Sequence, residues 1–275
     1  MSGLRRLFVL AAVAVLAACA TVPEGGASVS EERVAIAMPN GTADALLFHP
    51  SGRGRWPAVV LWTDTAGLRP AYAEIGRKLA AEGYVVLIPN AYYRTVKLDG
   101  SAAAPPLPAD EARERGAQWR AAATEEAVFA DSRAYFAFLD ARPQTDTRRG
   151  AGTLGFDYGS INAFHAARAL PDRIAAAAAI YPAGTATPRP NSPHLFVNRS
   201  KAAYYVVVGK NDDIREPGDK DDYTKAFAAA GLDGTVEVSP ANHGFALPAD
   251  PAYDAAASDA AWSRTLDLFR TALAR

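Results

Sequence analysis

The chain is poor in the residues that staple a fold, bind metals or draw nucleic acid. It has one cysteine, Cys19, in 275 residues, so no disulfide framework exists and no thiol is left for catalysis. The four histidines, His49, His165, His194 and His243, are scattered, and no cluster has metal-ligand spacing. Neither a metal nor a cofactor is expected. Charge of one sign is also lacking: 29 basic residues stand against 30 acidic ones, which leaves no overall field for nucleic acid. There are no heptads and no internal repeats. What is present is apolar, at 49% of residues, enough in a chain of this length for one large core.

The N-terminus reads as a targeting segment. Arg5 and Arg6 precede the apolar run Leu7 to Ala18, which is too short for an ordinary membrane span and suits a signal-peptide core. It ends in Leu16-Ala17-Ala18-Cys19, which resembles the lipobox of bacterial lipoproteins. The resemblance implies a signal peptide over 1–18 and a lipid anchor on Cys19. A tether over 19–32, small and polar from Ala20 to Glu31, and a folded domain over 33–275 would follow. It places the domain in the bacterial cell envelope facing the periplasm, and Ala20 after the Cys implies the outer membrane by analogy with other lipoproteins.

The domain alternates strand and helix signals. Val34 to Ala37 and Ala45 to Phe48 flank Asn40-Gly41, a hairpin turn. The apolar runs Pro57 to Trp62 and Tyr84 to Ile88 enclose a helix over Pro70 to Glu82 that Gly83 stops. Continuous apolar runs separated by a helix predict a parallel sheet covered on both faces. Residues 95 to 123 read as a long surface excursion. Further along, Ala127 to Leu139 is helical, with Val128, Phe129, Phe136 and Leu139 inward. Ile174 to Ile180, Tyr204 to Val208 and Thr235 to Val238 are strand-like, and an amphipathic helix over Ala260 to Ala274 closes the chain. Its Trp262, Leu266 and Phe269 read as core.

The stretch Ala151-Gly152-Thr153-Leu154-Gly155-Phe156-Asp157-Tyr158-Gly159-Ser160 carries the chemistry. It runs from small apolar residues through Gly-x-Asp-x-Gly into a helix over Ile161 to Leu170. That is the layout of a nucleophile elbow, a tight strand-to-helix turn that presents one side chain, here Asp157.

From about residue 35 to the end, the chain resembles the dienelactone hydrolase family of α/β-hydrolases. The resemblance rests on Trp56 to Leu61 followed by Gly67-Leu68-Arg69-Pro70, and on Leu79 to Tyr84 with Pro89 and Tyr92. Asn242-His243-Gly244-Phe245 and the run Ala261 to Leu266 complete it. It implies an α/β-hydrolase fold, a mostly parallel sheet with helices on both faces and no large lid, acting on a small-molecule substrate. Carried over by position, Asp157 stands at the elbow where the family has Cys, Asp212 is the acid and His243 the base. Asp213 is a less well spaced alternative to Asp212. Backbone amides of Thr65 and Tyr158 would form an oxyanion hole. Arg94 matches an arginine that helps hold the substrate carboxylate in the family, while Leu247 replaces a second one and Asp64 replaces a loop glutamate. Trp62 and Tyr92 are further substrate-binding candidates. The oligomeric state is not legible.

A carboxylate attacking an ester carbonyl gives an anhydride, whereas at saturated carbon it gives an ester that water cleaves. The elbow is similar to the Asp-Trp-Gly elbow of haloalkane dehalogenases and epoxide hydrolases, whose helical lid would have only residues 182 to 203 available here. Ester, lactone, alkyl halide and epoxide substrates all stay open, and so does a scaffold lipoprotein that has kept the fold without turnover.

Overall fold

The computed structural model describes residues 28–96, 109–248 and 250–274. Cys19, the expected signal peptide and most of the expected tether lie outside the described residues. Eight strands form one sheet in the order β1-β2-β4-β3-β5-β6-β7-β8. β1 (Val29–Met38) and β2 (Gly41–Pro50) pair around Asn40-Gly41, and β1 begins at Val29, ahead of the domain start placed at residue 33. β2 also runs antiparallel to β4 (Val85–Pro89). From β4 across β3 (Ala58–Trp62), β5 (Ala151–Phe156), β6 (Ile174–Ile180), β7 (Ala203–Val208) and β8 (Gly234–Val238), every pairing is parallel.

The composition of the central strands explains the layers. β3, AVVLW, and β4, VVLIP, are buried at every position, and such strands need cover on both faces. Successive side chains alternate between two cores. Ala58, Val60 and Trp62 pack towards α3 (Glu125–Asp140), α4 (Gly159–Ala169) and α6 (Asp219–Ala230), while Val59 and Leu61 pack towards α1 (Pro70–Ala81) and α7 (Ala255–Ala272). Helix ends follow local chemistry. Pro70 opens α1, where its missing N–H costs nothing. Thr124 and Asp254 cap α3 and α7 through the amides of Ala127 and Ala257.

Four elements depart from the sequence expectation. α2 (Ala109–Ala122) occupies part of the stretch read as a surface excursion. Its sequence is rich in helix formers but has no apolar stripe, so propensity marks it and periodicity does not. α6 has a pattern of only two buried residues, Tyr223 and Phe227, one turn apart. A 3-10 helix (Pro193–Arg199) and the short α5 (Lys210–Arg215) are likewise too brief for a periodic signal. The 3-10 helix is the only helical element described within 182–203. The loops that follow β3, β5, β6, β7 and β8 all emerge at one end of the sheet, where parallel folds place their chemistry.

Candidate active site

Asp157 lies between the last residue of β5 and the first of α4. Its φ is 50°, a left-handed conformation that costs a non-glycine residue about 1–3 kcal/mol. Surrounding bonds hold it there. Its N–H donates to Ile180 O at 3.1 Å, and its carbonyl accepts from the amides of Ser160 and Ala183 at 3.1 and 3.3 Å. A Cβ on Gly159 would sit 2.4 Å from Thr63 O and 2.6 Å from Trp62 O. Glycine there lets α4 begin directly against the end of β3.

The turn after β8 brings His243 to this aspartate. Its Nε2 lies 3.5 Å from Asp157 Oδ1, and its Nδ1 lies 2.8 Å from Asp212 Oδ2. Asn211 Oδ1 accepts the backbone N–H of His243 at 2.7 Å. Asp212 is buried at the start of α5, and Arg215 Nη2 donates to its other oxygen, Oδ1, at 2.7 Å. A Cβ on Gly209 would lie 2.7 Å from Asp212 Oδ2 and 2.8 Å from His243 N, so this approach too needs glycine. The neighbouring Asp213 is bound by Lys220 at 2.8 Å instead. Behind His243 lies Tyr181, with ring centroids 4.8 Å apart.

Charge in this row alternates. Burial by itself would lower the pKa of His243, but hydrogen bonds to Asp157 and Asp212, with their two negative charges, outweigh it and push the pKa up to about 9. The resting site is therefore an imidazolium between two carboxylates, with Arg215 on the far oxygen of the second.

Thr65 Oγ1 donates to Asp157 Oδ2 at 3.5 Å. The amides of Thr65 and Tyr158 have no acceptor among the described residues. α2 passes close by: a Cβ on Gly116 would be 3.7 Å from Thr65 Cβ and 3.2 Å from Arg120 Nη1. The Arg120 guanidinium lies 4.7 Å over the Tyr158 ring, a cation–π contact, and meets no carboxylate among the described residues.

The remaining candidates are engaged elsewhere. Arg94 forks Asp131 at 2.7 and 2.8 Å and lies over the Tyr93 ring. In this structure its guanidinium is engaged by a buried aspartate and reaches none of Asp157, Asp212 and His243 by a hydrogen bond. Trp62 is 1% exposed, and its indole N–H donates to Thr153 Oγ1 at 3.0 Å, so it belongs to the core and not to a substrate pocket. Asp64 is forked by Arg69 at 2.6 and 2.7 Å, and its own amide donates to the Tyr72 hydroxyl at 2.9 Å. Its carboxylate braces the loop that carries Thr65. Tyr92 is buried, with its hydroxyl 3.5 Å from Asp64 O. Sequence reasoning missed Tyr181, Arg215 and Arg120. The first two stand at strand-end positions adjoining β6 and Asp212, which was a usable signal, whereas nothing in the sequence pointed to Arg120.

A side chain held in strain at the C-terminal edge of a mostly parallel sheet, answered by a histidine from the loop after the last strand, is the arrangement of the α/β-hydrolases. Comparison with known proteins narrows the class. The chain belongs to the dienelactone hydrolase family, whose sequence profile matches residues 43–273. A Synechocystis sp. protein named "Putative carboxymethylenebutenolidase" is 24% identical over 231 residues, covering 82% of this chain and 91% of the relative. Among solved structures, a "Putative Dienelactone Hydrolase" from Klebsiella pneumoniae superposes with a TM-score of 0.76 at 20% identity, covering 88% of this chain and 99% of the other. A dienelactone hydrolase-like promiscuous phosphotriesterase from metagenomic libraries gives 0.72 at 18% identity, covering 89% and 98%. At these identities the structural likeness is one of fold.

Proposed function

We propose that this protein hydrolyses a small organic substrate by displacement at saturated carbon. Asp157 is the nucleophile, His243 the base for the second step and Asp212 the group that orients it. The observation that supports this reading best is Asp157 at φ 50° with His243 Nε2 3.5 Å from its carboxylate and Asp212 2.8 Å behind the imidazole. Direct activation of water on an ester needs a neutral imidazole, and the hydrogen bonds and charges of Asp157 and Asp212 work against that by raising the pKa of His243 above its ordinary value. A carboxylate nucleophile needs no base for its own attack. An alkyl halide, whose leaving group needs no proton, suits such a site better than an ester or lactone.

The charge state then changes in the right direction. Attack by Asp157 forms a carbon–oxygen bond, expels the leaving group with its electron pair and turns the carboxylate into a neutral ester. One of the two negative charges that hold the proton on His243 is gone, so its pKa falls and the proton leaves to solvent. Neutral His243 next takes a proton from water as that water attacks the ester carbonyl, with the developing oxyanion facing the amides of Thr65 and Tyr158. Collapse breaks the bond between the carbonyl carbon and the alkoxy oxygen, and His243 gives its proton to the leaving alkoxide so that the alcohol departs. The carboxylic acid left on Asp157 returns a proton to His243, restoring the charged pair. Turnover of haloacids, haloalkanes, epoxides, lactones and p-nitrophenyl esters by the parent and by Asp157→Asn tests the proposal. Hydrolysis of a halide or epoxide that Asp157→Asn abolishes is expected; turnover that survives in Asp157→Asn would remove the nucleophile.

We further propose that Cys19 carries a lipid that holds the domain at the outer membrane, on the strength of Arg5, Arg6, the short apolar run and Leu16-Ala17-Ala18-Cys19. Cys19→Ser should move the protein from the membrane to the soluble fraction. Unchanged membrane retention would contradict the anchor.

A further inference from the structure

Ser51 N donates to Ser28 O at 2.6 Å, and Val29 pairs with Pro50. The point where the chain enters the fold is thereby fixed beside the turn Ser51-Gly52-Arg53-Gly54-Arg55. That turn lies where the parallel strands begin: β3 starts just beyond it, and Trp56 bridges to Thr145 ahead of β5. Asp157, Asp212 and His243 follow the opposite ends of the strands, a strand length of roughly 15–20 Å away.

The two ends differ in charge. Arg53 and Arg55 are exposed and have no carboxylate partner among the described residues. A cavity of about 680 Å³ opens at the same end, walled in part by Arg148, Arg149, Arg173 and Lys201. Three of these are matched: Arg148 by Asp146, Arg173 by Asp140 and Lys201 by Asp172. Arg149 donates to the Leu273 carbonyl, and Arg270 meets Glu82 and Asp267. Set against Asp233, the surplus there is positive. At the catalytic end Glu216, Asp219 and Asp222 crowd together, and burial with those like charges pushes Asp219 up to about 6.

We propose that the strand-start end of the domain is a docking face for anionic phospholipid. Tethered through Cys19, the domain rests on the bilayer through Arg53 and Arg55, and the acidic catalytic end points away from the membrane. This rests on the lipid-anchor reading of Cys19. The span from Cys19 to Ser28 reaches at most about 30 Å when extended, so the entry end stays near the surface while the active site lies a further strand length out. Each exposed arginine brought within a Debye length of an anionic surface strengthens attachment by on the order of fivefold, and the acidic end is repelled, which fixes the orientation as well as the contact.

Arginine footprinting of the full lipidated chain tests this. The protein is placed in vesicles of phosphatidylcholine alone or mixed with phosphatidylglycerol, floated, treated with phenylglyoxal and read by peptide mass spectrometry. The expected result is modification of Arg53 and Arg55 slowed about tenfold by phosphatidylglycerol and restored by high salt, with Arg189 and Arg215 at the catalytic end unchanged. Equal modification of Arg53 and Arg55 in both vesicles, or protection of Arg189 and Arg215 instead, would overturn the orientation while leaving the anchor intact. Failure to float in either vesicle would overturn the anchor, and the docking face with it.

Discussion

Tyr181 supports His243 from a backbone that few tyrosines adopt: its φ is 37°, and its ring is tilted by 56° against the imidazole. The same ring packs edge-on against Phe156 and Phe245. It joins the strand that leads into the elbow with the turn that carries the base. Removing the ring should loosen His243 while leaving both carboxylates in place. Tyr181→Leu is expected to lower stability by roughly 1–3 kcal/mol and to lower kcat, with kcat/KM little changed. Lost stability with an unchanged kcat would reduce Tyr181 to packing.

Arg215 and Asp212 should separate by size of effect. The Arg215 side chain is 62% exposed, so Arg215→Ala is expected to cost less than about 1 kcal/mol of stability and to lower kcat several-fold by freeing one oxygen of Asp212. Asp212→Asn removes the charge that orients His243 and stabilises its cation, so cleavage of the ester slows and kcat should fall by on the order of 10²–10⁴, with kcat/KM, which reports the first step, largely spared. Steady-state kinetics on both variants checks the order; an Arg215 effect as large as that of Asp212 would contradict it.

The charged triad also sets a pH dependence of stability. The folded-state pKa of His243, about 9, lies above its ordinary value of 6.5, so the folded protein holds this proton more tightly than the unfolded chain. The contribution is complete below pH 6.5 and is lost as pH rises through about 9. Thermal midpoints across that window should decline in the parent and flatten in His243→Gln. Parallel curves for the two proteins would mean that His243 is not charged at rest.

Much of this was legible in the sequence, because the signals were strong where packing is strong. The uninterrupted apolar runs at β3 and β4 determine a covered parallel sheet, and Gly159 marks the turn because no side chain fits beside Thr63 O. Asp157, Asp212 and His243 sit in short motifs at strand ends, and the structure brings them together. What position in sequence does not encode is which partner a long side chain reaches. Arg94 follows a strand end as a substrate-binding arginine would, but Asp131 on α3 captures it. Arg120 comes from a helix without an apolar stripe and reaches the site only through the fold.

The two arginines therefore predict opposite phenotypes. Arg94→Gln leaves Asp131, which is 4% exposed, without its counter-charge and with the Tyr93 hydroxyl as remaining donor, and should cost about 3 kcal/mol of stability with little change in substrate KM. Arg120→Gln should leave the thermal midpoint nearly unchanged and alter KM. Melting curves and Michaelis constants on the pair check this; a KM effect confined to Arg94→Gln would restore it as the substrate-facing cation.

The central claim is that Asp157 becomes an ester during turnover and that His243 is needed only to cleave it. Replacing His243 with Gln should spare the first step and block the second, so the intermediate accumulates. Intact and peptide mass spectrometry of His243→Gln, after incubation with haloalkane, haloacid and epoxide substrates, reads this directly. A peptide spanning Asp157 that is heavier by the substrate's alkyl group is the expected result. An active parent whose His243→Gln variant carries no such adduct would contradict the account and leave Asp157 as a base or an electrostatic group.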